Sequence, residues 1–239
     1  MLMKLFKGLK KNKHFKKEKA LSDFDYDTIQ EGLMYSMASW ERLYANINSV
    51  KYLLDSDIAG SIVECGVWRG GSMLTMLRTL MQSPSIEREI FLYDTFSGMS
   101  RPTIEDGAFA ITKFEKLKTG IDRSDWCCAE ISEVKSVIDR SSYPRDLINF
   151  IEGKIEATIP HKKVPEQIAL LRIDMDWHEP TLHALKYLYP KLVKGGVLIL
   201  DDYGHWEGCK AAVDEYFSTN NIRLLMNRID YTGRIAVKL

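Results

Sequence analysis

Four aspartates follow two apolar segments of the chain, and they are the residues best suited by type and spacing to chemistry. The segment LLRIDMDWHEPT contains Asp174 and Asp176, and GGVLILDDYG contains Asp201 and Asp202. Each apolar run ends abruptly in carboxylates, and a helical pattern separates the two runs. Because the carboxyl ends of neighbouring parallel strands share one crevice, these side chains should converge there. Carboxylate oxygens are ligands for hard divalent cations such as Mg²⁺, so the sequence predicts a metal site.

Other functions for the same residues stay open at this point. Asp176 and Asp202 each precede a predicted helix, so either carboxylate could instead cap a helix N-terminus. His178 and His205 lie beside the strand ends and could take a proton from a substrate hydroxyl. Three aromatic residues would either wall a substrate cleft or pack in the core: Trp177, Tyr203 and Trp206.

A glycine-rich turn, ECGVWRGGS (Glu64 to Ser72), links a predicted strand to a predicted helix. Gly66 would allow a tight turn, and Gly70 and Gly71 would let a ligand approach the backbone at the helix N-terminus. The spacing GxxxGG differs from the GxGxxG of dinucleotide sites and argues against a pyrophosphate cradle. Asp94 ends the next strand, where a carboxylate can accept hydrogen bonds from both ribose hydroxyls. Together these features predict an adenosine-bearing cofactor without a diphosphate.

Alternating strand and helix patterns must position these residues. Strands are predicted at Ser61–Gly66, Glu89–Asp94 and Leu147–Glu152, and in the runs that end at Asp174 and Asp201. The predicted helices cover residues 33–54, 70–80, 124–138, 181–193 and 208–217. Cys127 and Cys128 lie in the third of these. IRLLM and GRIAVKL predict an antiparallel C-terminal hairpin with the connection NRIDYT. Such alternation predicts an α/β protein with a doubly wound, mostly parallel sheet. Residues 95–125 are rich in structure breakers and predict a mobile, lid-like segment beside the site.

Length and composition limit the classes of protein that fit. A chain of 239 residues suits one α/β domain, here residues 25–239, preceded by a basic arm at 1–24. No apolar run approaches the roughly 20 residues of a membrane span. Four cysteines without metal-binding spacing favour a reduced, cytoplasmic protein over a disulfide or zinc scaffold. The first 20 residues contain eight lysines against Glu18 alone, which indicates a solvated tail or weak contact with an anionic surface. We expect no nucleic-acid partner.

Five segments, in this order, resemble the macrocin O-methyltransferase family (TylF, MycF and NovP type): VECGVWRGGS, YDTFSGM, INFIEGKIEATIP, LLRIDMDWHEPTLHALKYLYPKL and GGVLILDDYG. The resemblance covers roughly residues 30–239. It implies a class I S-adenosylmethionine-dependent methyltransferase with a seven-stranded sheet and an N-terminal helical extension. It also implies Mg²⁺ dependence and methyl transfer to a hydroxyl, commonly on a sugar of a natural product. A small-molecule or glycoside acceptor and a homo-oligomeric assembly are expected accordingly.

The resemblance also assigns roles to particular residues. The glycine turn and the end of the second strand would bind S-adenosylmethionine through Glu64, Gly66, Arg69, Gly70, Gly71, Ser72, Asp94 and Thr95. The metal aspartates match Asp174, Asp201 and Asp202, with Asp174 the first candidate for general base and His178 the second. Where the family usually has LRxDGDLYEST, four residues differ here: Met175, Trp177, His178 and Pro180. The acceptors of the family are therefore not transferred to this chain.

Two alternatives to a methyltransferase remain at this stage. A nicotinamide-dependent oxidoreductase could use a related sheet, although the glycine spacing and the late aspartates argue against it. A catalytically degenerate methyltransferase fold could serve as a binding subunit. A scaffold, however, has no need to gather like charges in one crevice.

Overall fold

A seven-stranded sheet forms the centre of the part of the chain that the structure, a computed structural model, describes: residues 15–83 and 88–239. The strands are β1 Ser61–Cys65, β2 Ile90–Asp94, β3 Lys118–Gly120, β4 Arg123–Ser124, β5 Ile148–Glu152, β6 Ile168–Ile173, β7 Leu192–Leu200, β8 Asn227–Arg228 and β9 Arg234–Val237. The helices are α1 Asp23–Leu33, α2 Trp40–Asp55, α3 Gly71–Leu80, α4 Gly107–Leu117, α5 Ile131–Ile138, α6 Ile155–Thr158, α7 His178–Leu188 and α8 Glu207–Thr219.

The strand order is β5-β2-β1-β6-β7-β9-β8. The first five strands in this order are mutually parallel, whereas β9 runs antiparallel to both β7 and β8. The predicted mostly parallel, doubly wound α/β fold with a C-terminal antiparallel pair is confirmed. Strands β3 and β4 form a separate two-stranded sheet.

Helices cover both faces of the central sheet, and alternate strand residues point to opposite faces. One face packs against α6, α7 and α8, with Leu171 and Leu198 among the strand residues in that core. The other face packs against α2, α3 and α5, with Leu170 and Ile199 in its core. Because both faces are buried, β6 is a continuous run of six buried residues. No helix within the two described stretches is both long enough and apolar enough to cross a bilayer.

The predicted helix over residues 33–54 is wrong in its first part, because two helices occupy this region. Helix α1 ends at Leu33, and α2 begins only at Trp40. Two serine side chains favour the break. The Ser36 hydroxyl accepts a hydrogen bond from the Ala38 N–H at 3.0 Å, and Ser39 caps α2 by accepting from the Arg42 N–H at 3.2 Å. We call residues 34–39 the connecting segment.

Two further elements differ from the sequence expectation. The helix predicted over 124–138 begins only at Ile131, so Cys127 and Cys128 lie in irregular backbone, with Cys127 at a positive φ of 51°. The C-terminal hairpin exists, but its first strand is Asn227–Arg228 and not IRLLM. The Asp230 carboxylate fixes that register, because its Oδ1 accepts from the N–H groups of Thr232 and Gly233 at 2.9 and 2.7 Å.

The lid segment, residues 95–125, contains regular structure as well as loops. It includes the 3₁₀ turn Ile104–Asp106, helix α4 and the hairpin of β3 and β4. Three contacts fasten it to the domain. Asp106 accepts from the His178 N–H at 2.7 Å, the Trp177 indole donates to the Ser100 carbonyl at 3.1 Å, and Asp122 pairs with Lys154.

Most of the predicted basic arm, residues 1–14, lies outside the described residues. The remainder packs on the N-terminal helices. Phe15 stacks on Trp40 with ring centroids 4.9 Å apart, and Leu21 is buried beside α1 and α2.

Candidate active site

Three aspartates meet at the carboxyl ends of β6 and β7. The two strands are parallel neighbours in which Ile173 pairs with Leu200, so Asp174 and Asp201 directly follow paired residues. One carboxylate oxygen from each of Asp174, Asp201 and Asp202 lies within 4.8 Å of the others. Asp201 and Asp202 are buried, whereas the Asp174 side chain is 31% exposed. The structure therefore brings together the residues that the sequence predicted for a metal.

A buried arginine organises this group. Arg172 lies two residues before Asp174 on the same face of β6, opposite Glu64 on β1. Its Nη1 donates to Glu64 Oε1 at 2.8 Å, and its Nη2 lies 2.9 Å from Asp174 Oδ2 and 2.5 Å from Asp201 Oδ1. A second arginine, Arg42 of α2, donates to the other oxygen of Asp201. Glu64, predicted to bind the cofactor, is fully buried in this network.

Negative charge is in excess in this cluster. Two guanidinium groups, Arg42 and Arg172, are present with five carboxyl groups: Glu64, Asp174, Asp176, Asp201 and Asp202. If all were ionised, the carboxylates would outnumber the guanidiniums, and Arg42 also pairs with Asp230, so negative charge would remain unbalanced. Burial raises the pKa of Glu64 and of Asp176 to about 8, and for Asp176 the charges of Asp174 and Asp201 act in the same direction. Burial and the neighbouring aspartates also hold the pKa of Asp202 well above its usual range.

A cavity of about 110 Å³ lies beside the triad. Its lining joins the glycine turn, the end of β2, the lid segment and the Asp174 loop. The predicted residues in this lining are Gly66, Asp94, Thr95, Asp174, Asp176 and Trp177. A smaller cavity of about 30 Å³ continues past Asp94 and Thr95 to Gly153–Glu156, just after β5.

The other predicted cofactor residues lie outside this lining. The Arg69 side chain is directed to Glu133, with Nε 2.6 Å from Oε1, and its guanidinium lies over the Tyr35 ring. Ser72 lies near Ser36, with the two hydroxyl oxygens 3.4 Å apart. Gly70 is the N-cap residue immediately before α3 and has a φ of 87°. Binding of the cofactor by these residues stays a prediction.

Asp94 fastens the glycine turn to the end of β2. Its Oδ2 accepts from the N–H groups of Val67 and Trp68 at 2.6 and 3.0 Å, and its Oδ1 accepts from the Phe96 N–H at 2.8 Å. Burial raises the pKa of Asp94, and these three donors act against that shift. Recognition of a ribose by Asp94 would use the lone pairs that remain.

Two glycines of the turn are required by close backbone packing. A Cβ at Gly66, which has a φ of 83°, would lie 1.7 Å from the Asp174 carbonyl oxygen. A Cβ at Gly71 would lie 2.5 Å from the carbonyl carbon of Tyr35. At Gly71, therefore, the approaching backbone is the connecting segment, whose Tyr35 carbonyl accepts from the Gly71 N–H at 3.1 Å.

Asp176 and His178 have different surroundings. Asp176 lines the cavity at a positive φ of 59°, and its N–H donates to Asp202 Oδ2 at 3.2 Å. The His178 ring lies outside the cavity lining, with Nε2 3.2 Å from Glu215 Oε2. Neither Asp176 nor Asp202 caps the helix that follows it, because α7 and α8 have no side-chain cap at Trp177 and Trp206.

A cluster of three tryptophans fills the space between the lid segment and the Asp176 loop. Trp126, Trp177 and Trp206 make mutual edge contacts with centroids 5.1 to 5.9 Å apart. Trp177 is buried, whereas Tyr203 points away and donates to Asp214 at 2.7 Å. His205 is exposed and contacts the Trp206 ring.

Several residues at the candidate site were not predicted from the sequence. They are Arg42 and Arg172 at the acidic cluster, Asp106 beneath the lid segment, and Met37, Gly98, Met99, Ser100 and Cys127 in the cavity lining. Arg172 could have been predicted from the sequence. It is a lone charged residue in an apolar strand, and residues two apart in a strand lie on the same face, so Arg172 must lie on the face of Asp174.

Comparison with known proteins agrees with this geometry. The sequence model of the macrocin O-methyltransferase (TylF) family matches residues 3–237. The 8-demethyl-8-(2,3-dimethoxy-alpha-L-rhamnosyl)-tetracenomycin-C 4'-O-methyltransferase of Streptomyces olivaceus is 29% identical over 199 residues, which are 83% of this chain and 74% of that protein. The mycinamicin III 3''-O-methyltransferase of Micromonospora griseorubida is 28% identical over 227 residues, which are 95% of this chain and 85% of that protein.

Solved structures give the same result. The O-methyltransferase NovP superposes with a TM-score of 0.77 at 27% identity, covering 85% of this chain and 82% of NovP. The calicheamicin methyltransferase CalS11, with a TM-score of 0.63 at 18% identity and coverage of 95% and 96%, shares the fold. The methyltransferase prediction is confirmed over the oxidoreductase and scaffold alternatives. The chain belongs to the macrocin O-methyltransferase (TylF) family and is an S-adenosylmethionine-dependent O-methyltransferase.

Proposed function

We propose that this methyltransferase acts on a sugar hydroxyl and that a divalent cation such as Mg²⁺ binds to Asp174, Asp201 and Asp202. The observation that supports the metal most directly is the convergence of three carboxylate oxygens within 4.8 Å of one another. Ligands of one Mg²⁺ stand about 3 to 4 Å apart, given metal–oxygen distances of about 2.0 to 2.1 Å. The donor set is all-oxygen and acidic, as a hard cation requires.

The charge of the cluster supports the same proposal. Five carboxyl groups with two guanidiniums leave an excess of negative charge that a divalent cation would reduce. Burial raises the pKa of Asp176 and of Asp202, and the charges of the neighbouring aspartates act in the same direction. Buried carboxyl groups with perturbed pKa values are typical of functional sites.

The names of the relatives support a sugar as the acceptor. One acts on a rhamnosyl tetracenomycin and another on mycinamicin III. The acceptor of this chain is proposed only to be a glycoside or a related sugar, because the residues beside Asp176 differ from the usual family pattern. The tryptophan cluster would support the lid segment above such an acceptor.

Bound S-adenosylmethionine supplies an electrophilic methyl group, and a bound divalent cation lowers the pKa of a hydroxyl that it coordinates. The chain itself must hold the acceptor oxygen about 3 to 3.5 Å from the methyl carbon and exclude water. Asp174 and Asp176 line the cavity and are the groups that could receive the hydroxyl proton. We favour these aspartates over His178, whose ring faces Glu215.

The lid segment must also move if the cofactor is to bind. The cavity volume of about 110 Å³ is well below the roughly 300 to 1,000 Å³ of small-molecule sites. Gly98, Met99 and Ser100 of the lid segment form part of its wall. Displacement of this segment would join the two cavities along Asp94.

Substitution of the metal aspartates tests the proposal. Asp174→Asn and Asp201→Asn should abolish metal-dependent methylation of glycoside and nucleotide-sugar acceptors, while S-adenosylhomocysteine still binds. Asp176→Asn is the informative companion, because loss of turnover with normal Mn²⁺ binding would identify Asp176 as the base. Full activity in EDTA would contradict the metal role, and activity only on acceptors without sugars would contradict the acceptor class.

A further inference from the structure

Arg42 joins the N-terminal helices to the acidic cluster. It lies in the first turn of α2, outside the central sheet, and its side chain is only 13% exposed. Its Nη1 donates to Asp201 Oδ2, and its Nε donates to Asp230 Oδ2 at 3.0 Å. One guanidinium thus lies between a proposed metal ligand and the turn that connects β8 to β9.

Asp201 is held from two sides. Arg172 Nη2 donates to Oδ1 at 2.5 Å, and Arg42 donates to Oδ2. A carboxylate has about four lone-pair positions, so each oxygen retains capacity for a further partner. The two guanidiniums therefore fix the plane of the carboxylate and leave it able to bind a cation.

Arg42 is itself fixed by its surroundings. Asp230 Oδ2 also accepts from the Ser39 hydroxyl at 2.7 Å, and Ser39 caps the helix that contains Arg42. A Cβ at Gly233 would lie 3.0 Å from Arg42 Cδ, so the hairpin backbone packs directly on the arginine stem. Arg42 Nη2 also lies 3.4 Å from the carbonyl of Met37, which lines the cavity.

We propose that Arg42 is a positioning residue for the divalent cation: it orients Asp201 for metal binding and is held in place by Asp230. This inference rests on the proposed metal site. It assigns the N-terminal helices a part in the active site, although they lie outside the central sheet. Groups that orient metal ligands typically contribute 10- to 100-fold to metal affinity or activity.

Charge alone gives the opposite expectation. A guanidinium beside a cation repels it, so its removal should tighten metal binding if repulsion were its main effect. The cluster already has an excess of carboxylates, so charge does not limit affinity here. The direction of the change in affinity therefore distinguishes orientation from repulsion.

Titration of the full chain with Mn²⁺, followed by calorimetry and by the electron paramagnetic resonance of free Mn²⁺, tests the proposal. Arg42→Gln should raise the Kd for Mn²⁺ by about 10- to 100-fold. Arg42→Lys should fall between, because it retains the charge but has one nitrogen and cannot bridge Asp201 and Asp230. The Kd for S-adenosylhomocysteine should change less than threefold.

Arg78→Gln is the matched control. Arg78 pairs with Glu31 away from the acidic cluster, so its loss should leave Mn²⁺ affinity within twofold. Folded Arg42→Gln that binds Mn²⁺ as tightly as wild type, or more tightly, would overturn the proposal. If Arg42→Gln does not fold, Asp230→Ala decides, since removal of the acceptor of Arg42 Nε should weaken Mn²⁺ binding at least threefold and unchanged affinity would overturn the inference. Absence of Mn²⁺ binding by wild type would instead overturn the metal proposal, and this inference with it.

Discussion

The Asp106 carboxylate accepts a hydrogen bond from the backbone N–H of His178 at 2.7 Å, across 72 residues of sequence. His178 is the first residue of α7, and the helix has no side-chain cap of its own. The other oxygen of Asp106 accepts from the Thr103 N–H at 2.7 Å. A buried carboxylate of the lid segment therefore caps the helix that follows the Asp174–Asp176 loop.

We expect Asp106→Ala to lower the free energy of unfolding by about 1 to 2 kcal/mol, the usual effect of losing an N-terminal cap. The lid segment should also loosen over Trp126, Trp177 and Trp206, so acrylamide should quench tryptophan fluorescence more strongly. Asp106→Asn retains one acceptor and should have a smaller effect. Glu105→Ala, an exposed neighbour, should change stability by less than about 0.5 kcal/mol. Equal quenching in Asp106→Ala and wild type would contradict a docking role.

Stability without metal should fall as pH rises from about 5 to 8. Glu64 and Asp176 have pKa values of about 8 in the folded protein, and the pKa of Asp202 is also raised, whereas unfolded carboxyls titrate near about 4. Between these pH values the folded state binds more protons than the unfolded state. For each group that is protonated only in the folded state, the free energy of unfolding therefore falls by about 1.4 kcal/mol for every unit by which the pH rises.

Thermal melts in EDTA and in MgCl₂ would measure this dependence. Because carboxylates must lose their protons to bind a metal, the stabilisation by Mg²⁺ should grow with pH. Asp202→Asn should flatten the slope in EDTA by removing one titrating group. A melting temperature in EDTA that rises with pH over this range would contradict the electrostatic account.

Two glycine substitutions should have different effects on the free energy of unfolding. Gly66→Ala places a Cβ 1.7 Å from the Asp174 carbonyl oxygen at a positive φ, and we expect a loss of about 3 kcal/mol or more. Gly120→Ala meets only the Arg123 Cβ at 3.7 Å and should be neutral or stabilising by up to about 1 kcal/mol. Urea unfolding would measure the free energy of unfolding of both variants. Equal values would contradict the prediction and would show that the backbone at the ends of β1 and β6 can move apart to admit a Cβ.

The buried Glu64–Arg172 pair should respond unequally to loss of either partner. Arg172→Met leaves Glu64, Asp174 and Asp201 without a shared guanidinium, and breaking a buried pair in this way costs about 3 to 5 kcal/mol. Glu64→Gln keeps an oxygen that can accept from Arg172 and removes a carboxylate whose pKa burial has raised, so it should cost far less. Urea unfolding in EDTA would measure the free energy of unfolding of both variants. A greater loss in Glu64→Gln than in Arg172→Met would contradict this prediction.

Much of the sheet and of the aspartate cluster that we propose as a metal site was predictable from local sequence. Buried parallel strands form continuous apolar runs, and the runs before Asp94, Asp174 and Asp201 end where the strands end. Neighbouring parallel strands then bring the aspartates to one edge. The period of a strand and the order of the elements are enough to place these aspartates.

The connecting segment and Arg42 were beyond such reasoning. Met37 and Trp40 keep the spacing of an amphipathic helix, although the helix is broken between Leu33 and Trp40 by serine hydrogen bonds. The partners of Arg42 lie 159 and 188 residues away in sequence, so no local pattern indicates them. Asp106 was missed because its role depends on how the lid segment packs on α7.

The contact between Arg42 and Asp230 sets an order of events during synthesis. A chain that emerges from the ribosome N-terminus first can form α2 and β1 early, yet the hairpin turn that fixes Arg42 is made only after β7 and α8. In a nascent chain that has not yet formed this turn, the Arg42 guanidinium therefore lacks its partner Asp230. A fragment that ended before Asp230 would also lack β9, so it would have neither the carboxylate that holds Arg42 nor the strand that pairs with β7.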